Sequence, residues 1–298
     1  MQSKTVMISV LVCSVNDAVY AAFEENVAAT IGTSYELICY KNIQNESIYK
    51  VYDDLKRQAK GVYVCFVHED VLFRTHNWGG KLAEVFAHTA NLGLIGVAGC
   101  TYKSSIPSGW YIKDELSVTH LIENNKEGSD ARLNHLNLAD DEYCKVVASI
   151  DGVFMALPRH IADQVSFNTL LPGFHAYDTD LSMAVIDIGY KVAVCKDILL
   201  EHFSGGRPNK QWLSNHIACN KRWKHLLPLQ VVDQVYVHKA MFEIDNHVHW
   251  YFVDCMRRFG FSRFEQLKHV INFDTVQTRT RTFNFIRTFI LIFFKWFQ

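Results

Sequence analysis

The chain has 298 residues, 49% apolar and 20% charged, with 5 prolines and 15 glycines. A chain of this size buries roughly three-quarters of its extended surface on folding, so disordered, collagen-like and low-complexity classes are excluded. Lys and Arg number 30 against 31 Asp and Glu, a formal charge of −1. Nothing in that balance calls for nucleic acid, and an anionic ligand has to be met by a local cluster. In chain order, residues 6–13 form a continuous β-branched run that reads as a buried first strand rather than a leader peptide. Residues 18–31 read as a helix, 35–40 as a strand and 47–60 as a helix whose Ile48, Val51, Tyr52 and Leu55 share a side, with Gly61 as its C′ glycine. Strand 62–67, helix 78–92 and strand 94–98 follow. Apolar strands alternating with helices imply βαβ units and a mostly parallel sheet covered on both faces.

Between residues 100 and 143 the pattern lapses into Ser, Pro, Gly and scattered charge, which reads as loops at the sheet's edge. Order returns over 145–157, then as helix 178–188 and strand 190–194; 208–225 and much of 230–259 read as helical. The 8 cysteines lie more than twenty residues apart with no C-x-x-C pair, which fits reduced core thiols in a cytosolic protein. No segment reaches the ~18 apolar residues that a spanning helix needs.

Three polar clusters interrupt this framework. At the end of the third strand the run Phe66-Val67-His68-Glu69-Asp70-Val71 places His68 and Asp70 on one face, because side chains alternate along a strand. The carboxyl end of a parallel strand is where open α/β sheets bind ligands, and a His with a carboxylate there suits a divalent cation. Next, Tyr177-Asp178-Thr179-Asp180 puts two carboxylates in a helix's first turn. The helix dipole favours their ionised form, so one is a candidate general base, or Asp178 is simply the N-cap. Finally, Glu201-His202-Phe203-Ser204-Gly205-Gly206 joins a His to a glycine pair that lets backbone approach a phosphate.

In this order and at these distances, the pieces resemble the family-2 glycosyltransferases of GT-A fold, in a bacterial branch with His-x-Asp in place of Asp-x-Asp. The resemblance runs from Met7 to about Trp223 and includes the first strand through Asn16, Val51-Tyr52-Asp53, Val67-His68-Glu69-Asp70-Val71, Asp151-Gly152-Val153, Tyr177-Asp178-Thr179-Asp180 and His202 with Gly205-Gly206. It implies a metal site at Asp70, His68 and His202 holding Mn²⁺ or Mg²⁺ on the diphosphate of a nucleotide-sugar. It implies Asp178 as the base of an inverting transfer, with Asp180 in reserve. Asn16, Asn42, Asp53, His68, Asp151, Gly152, Gly205 and Gly206 are then the donor-binding set. The second strand ends in Tyr40-Lys41-Asn42 instead of acidic residues, and Tyr177 stands where a Glu is common.

The expected organisation is a GT-A catalytic domain over residues 1–226 and a helical extension over 227–298. The expected activity is transfer of a sugar to a glycan or glycolipid acceptor in surface polysaccharide assembly. The rivals are a non-catalytic nucleotide-sugar or glycan binder on the same fold and a nucleotidyltransferase; G-x-G-x-x-G and P-loop runs are absent from the sequence. Trp212, Arg222 and Trp223 suit either a sugar-stacking lid or packing. The tail 283–297 combines Phe285, Phe289, Ile292, Phe293 and Trp296 with Arg287 and Lys295. As a helix it would lie on the inner face of the cell membrane, or else pack on the body or a second copy in a homodimer.

Overall fold

The computed structural model describes residues 7–124, 131–203, 208–231, 237–273, 286–290 and 292–293. The strands are β1 (Met7–Ser14), β2 (Ser34–Lys41), β3 (Tyr63–His68), β4 (Val71–Phe73), β5 (Leu92–Gly96), β6 (Ala98–Cys100), β7 (Tyr102–Lys103), β8 (Ser117–Thr119), β9 (Leu121–Glu123), β10 (Arg132–Asn134), β11 (Cys144–Val147), β12 (Ser149–Ile150), β13 (Phe154–Pro158), β14 (Lys191–Cys195), β15 (Leu200–His202) and β16 (Leu229–Gln230). The helices are α1 (Asp17–Thr30), α2 (Ile48–Gln58), α3 (Trp78–His88), α4 (Arg159–Ala162), α5 (Tyr177–Asp187), α6 (Lys210–Arg222), α7 (Val237–Arg258) and α8 (Arg263–Phe273).

Seven strands make the central sheet in the order β11-β14-β5-β13-β3-β1-β2. Strands β2, β1 and β3 run parallel, as do β5 and β14, while β13 lies antiparallel between β3 and β5 and β11 antiparallel on β14. The sheet is therefore mixed and mostly parallel; that β13 is the strand reversed inside it is not legible in the sequence, because a run buried on both faces such as Phe154–Pro158 carries no mark of its direction. Alternation along the strands divides the core: Leu11, Val64, Phe66, Met155 and Leu157 pack under α2 and α5, whereas Val10, Val12, Cys65, Val67 and Phe154 pack with Phe23, Trp78 and Leu82 of α1 and α3.

Ile48, Val51, Tyr52 and Leu55 are all buried on α2. Gly61, however, is not a left-handed C′ residue. The helix ends at Gln58 with Ala59 extended, and Gly61 is required by close approach, since a Cβ there would stand 2.5 Å from Ser9 N. The stretch read as edge loops instead builds short strands: β10-β9-β15-β4 form one small sheet and β12-β6-β8 another. Strands of two or three residues are too short to leave a periodic trace.

A third apolar cluster joins Ile106 and Ile112 to Leu213 and Ile217 of α6, Val248, Phe252 and Met256 of α7, and Val270 and Phe273 of α8. Asp245 of α7 also accepts from Tyr102 Oη (2.8 Å) and Ser104 Oγ (2.7 Å). The C-terminal helices thus share a core with the body. All eight cysteines are free. Among the described residues, no helix is long and apolar enough to cross a membrane.

Of the tail, only residues 286–290 and 292–293 are described, so Phe285, Lys295 and Trp296 lie outside. Ile292 is buried while Phe289 is 37% exposed, so these two do not share one open face. His249 Nε2 lies 3.0 Å from Thr288 Oγ1, and the Arg287 guanidinium sits 4.9 Å from the Trp250 ring, which docks this piece on α7.

Candidate active site at the carboxyl end of β3

Strand β3 and the short β15 bring three ligand-type side chains to one point. His68 ends β3, Asp70 follows it, and His202 ends β15, which pairs with β4. His68 Nδ1 is 3.8 Å and His202 Nε2 3.5 Å from Asp70 Oδ1, and the three ligand atoms all lie within 4.8 Å of one another. Burial pushes the Asp70 carboxyl up, but the two flanking histidines outweigh it and hold the group down at about 2. Asp70 is therefore an anion at neutral pH. Burial, then the neighbouring His202, lowers the pKa of His68 and keeps its imidazole neutral.

A neutral His68 can present a lone pair, and its surroundings decide which nitrogen does so. Tyr177 Oη lies 2.5 Å from His68 Nε2 and donates to Gly152 O at 3.3 Å. The network is satisfied when Nε2–H donates to Tyr177 Oη, which leaves the Nδ1 lone pair facing Asp70. A ligating His oriented through its other ring nitrogen is the usual arrangement of a metal site. His202 Nε2 is buried without a hydrogen-bond partner. A divalent cation fits this donor set, since it would satisfy that nitrogen together with a carboxylate oxygen and the second imidazole.

Tyr177 opens α5, and the residue before it, Ala176, adopts a left-handed conformation at φ 68°, a strained one for an alanine. Its phenol is wedged so closely that a Cβ on Gly152 would stand 2.2 Å from Tyr177 Oη. Gly152 is thus a glycine because the tyrosine occupies the space of its side chain. Burial raises the phenol far above its ordinary pKa, so it stays protonated.

Asp178 and Asp180, one turn's neighbours in sequence, meet different surroundings. Asp178 is part-buried, its Oδ1 accepts from Thr179 N at 2.7 Å, and its N-cap role falls to Ala176. Burial, and then the Asp151 carboxylate, raise its pKa to about 7. The expectation that the helix dipole keeps it readily ionised is therefore corrected: desolvation and a like charge outweigh the dipole. Asp180 is 1% exposed; its Oδ2 accepts from Arg222 at 2.8 Å and its Oδ1 from Trp223 Nε1 at 2.7 Å. Trp223 is 6% exposed, so it packs over Asp180 instead of offering a stacking face.

The remaining expected residues divide similarly. Asp151 and Gly152 adjoin Asp178 and Tyr177. Asn16 caps α1 by accepting from Ala18 N (3.0 Å) and Val19 N (3.3 Å). Asn42 is buried and holds its own turn through Glu46 N and O. Asp53 engages Lys56 and Arg57 of its own helix. Gly205 and Gly206 lie outside the described residues.

Sequence reading passed over three participants. Glu69, between the two ligands, accepts from Val15 N (3.0 Å) and Asn16 N (3.3 Å) and so ties the β1–α1 turn to the cluster. Lys103 is fully buried, donates to Ser108 O at 2.5 Å, and stands near enough for its charge to act on Asp178. Tyr177 was visible only as a departure from the family pattern. No local signal marks a lysine or tyrosine that tertiary packing alone brings to a site.

With this geometry in view, the sequence comparison is decisive: residues 9–225 match the glycosyltransferase-like family. The chain belongs to that family. No curated protein matches it significantly. Its fold is similar to that of GT-A glycosyltransferases. Residues 1–349 of TarS from S. aureus superpose with a TM-score of 0.54 at 12% identity, over 96% of this chain and 90% of that one. The same protein in complex with UDP-GlcNAc gives 0.53 at 11% identity over the same shares. GalNAc-T7 with UDP, GalNAc and Mn²⁺ gives 0.50 at 12% identity, over 74% of this chain and 49% of that one. At such identities the likeness is one of fold.

Proposed function

We propose that this glycosyltransferase-family protein is a metal-dependent, inverting transferase that moves a sugar from a nucleoside-diphosphate donor to a glycan or glycolipid acceptor in polysaccharide assembly. The observation that carries the reading is the convergence of His68, Asp70 and His202 on one point, with Asp178, whose pKa burial raises, next in the chain to the Tyr177 that contacts His68. TarS with UDP-GlcNAc and GalNAc-T7 with UDP and Mn²⁺ are consistent with a nucleotide-sugar and a cation on this fold.

His68, Asp70 and His202 would hold Mn²⁺ or Mg²⁺, which when bound supplies positive charge to neutralise a diphosphate leaving group. Tyr177 fixes the imidazole of His68, and Glu69 fixes the β1–α1 turn beside it. Asp178, with a pKa of about 7, is poised to take a proton near neutral pH. The acceptor hydroxyl oxygen attacks the anomeric carbon, its proton passes to an Asp178 carboxylate oxygen, and the bond from that carbon to the diphosphate oxygen breaks with its electron pair leaving on the diphosphate. Asp180, whose oxygens are engaged by Arg222 and Trp223, acts as scaffold. The exposed Ile286, Phe289 and Ile290 support a peripheral contact with a membrane that carries a lipid-linked acceptor.

The test is a panel of nucleotide-sugars with Mn²⁺ and a membrane-extract acceptor, read by nucleoside diphosphate release and by transferred label. Asp178→Asn is expected to keep nucleotide affinity and lose transfer by about 10²-fold or more. A wild-type protein that binds donor yet transfers to no acceptor would instead favour the non-catalytic binder.

A further inference from the structure

A cavity of about 400 Å³ opens between the 108–112 loop, α6 and α7. Four aromatic side chains dominate it, in two near-perpendicular pairs. Trp110 and Tyr111 have ring centroids 5.9 Å apart at 80°, and Trp212 and Tyr251 have theirs 6.4 Å apart at 85°. Such rings are normally covered when they serve the core, but Tyr111 is 50% and Tyr251 38% exposed. Gly109 lets the wall close up, since a Cβ there would meet Trp212 Cζ2 at 3.3 Å.

The chemistry of this wall is selective. Its stacking faces come with polar edges: two phenols, two indole N–H groups, Ser108 and His247. Tyr111 Oη donates to Asp114 at 2.9 Å and Ser108 Oγ accepts from Lys103 at 3.0 Å, so these edges are held in place within the protein. A pyranose fits such a wall, because it offers a C–H face to an aromatic ring and hydroxyls to a polar rim. One buried side chain links the cavity's edge to the proposed base. Lys103 Nζ donates to Ser108 O (2.5 Å), Ser108 Oγ (3.0 Å) and Gly109 O (3.4 Å), which form the cavity's edge, and the same ammonium acts on the Asp178 carboxylate. The loop that shapes the cavity is thus fastened to the residue beside the proposed base.

We propose that this cavity binds a sugar ring of the acceptor, stacked on Trp212 and Tyr251, and so selects the acceptor. The assignment to an acceptor rests on the transferase reading; the sugar site itself does not. Its lining shares no residue with the His68–Asp70–His202 cluster, so a ligand here and a nucleotide there are tested separately.

The test uses the full chain with free methyl glycosides of glucose, galactose, mannose and N-acetylglucosamine as probes, followed by saturation-transfer NMR. UDP and GDP with Mn²⁺ are titrated calorimetrically in parallel. At least one glycoside is expected to receive saturation on its ring protons. Its apparent Kd should rise about tenfold in Trp212→Ala and in Tyr251→Ala, the size of one lost stacking partner, and recover in Trp212→Phe. Nucleotide affinity should be unchanged in all three. Tyr251 is exposed enough that its variant answers the question even if Trp212→Ala fails to fold. No saturation on any glycoside, saturation indifferent to both alanine variants, or variants that weaken the nucleotide instead would each overturn the sugar site. If a glycoside binds as expected while neither nucleotide binds the wild type, the transferase reading falls and the sugar site stands.

Discussion

Asp178 makes a quantitative claim that can be tested without any substrate. Burial and the adjacent Asp151 carboxylate raise its pKa from the ordinary 3.8 to about 7. The folded protein therefore holds a proton that the unfolded chain has released across that interval. The protonated form's contribution is fully present below pH 3.8 and is lost as pH rises through about 7. At 1.36 kcal/mol per pKa unit, the buried carboxylate costs about 4 kcal/mol once ionised, an upper value because water reaches part of the group. Asp178→Asn keeps the shape and removes the charge. In EDTA, the variant and the wild type should melt together near pH 4, and the variant should melt higher by on the order of 5–10 °C at pH 8. Differential scanning fluorimetry across that range reads the difference directly. A gap that stays flat with pH, or a wild type that is the more stable at pH 8, would refute the account of Asp178's surroundings. The same value sets the activity: the kcat/KM profile of the wild type should fall on the acid side of about pH 7.

Asp180→Ala should destabilise the fold by roughly 3 kcal/mol, because it leaves Arg222 and the buried Trp223 indole without their acceptor; Asp180→Asn, which can still accept from the indole, should cost less, and denaturant titration ranks the two. Tyr177→Phe keeps the edge-on packing against Tyr49 and Tyr52 but deletes the hydroxyl between His68 and Gly152. Mn²⁺ affinity, read by calorimetry, should fall 10–100-fold while stability changes by about 1 kcal/mol.

The elements that were legible in the sequence are those with a continuous run of buried residues or one buried helix side: β1, β3, α2 and α5 fall within a residue or two of their apolar runs. The direction of β13 was not legible, because it is set by pairing with β3 far back in the chain, and the small sheets around β8–β10 were not, because strands of three residues leave no periodic trace. The site divides along the same line. The His68 and Asp70 pair followed from strand alternation, and His202 from its place in the family's order of motifs. Tyr177, Glu69 and Lys103 act only through partners that the fold delivers. The ionisation of Asp178 is not legible for the same reason, since a helix N-terminus is visible in sequence and the burial that overrides it is not.

The central claim is that His68, Asp70 and His202 together hold a cation beside the nucleotide. Pulsed electron paramagnetic resonance of Mn²⁺ bound to the full chain with a nucleoside diphosphate tests it most directly. The account predicts couplings to the nitrogens of two histidines and to phosphorus, with one nitrogen coupling lost in each of His68→Ala and His202→Ala. Phosphorus coupling without any histidine nitrogen, unchanged by either substitution, would contradict it.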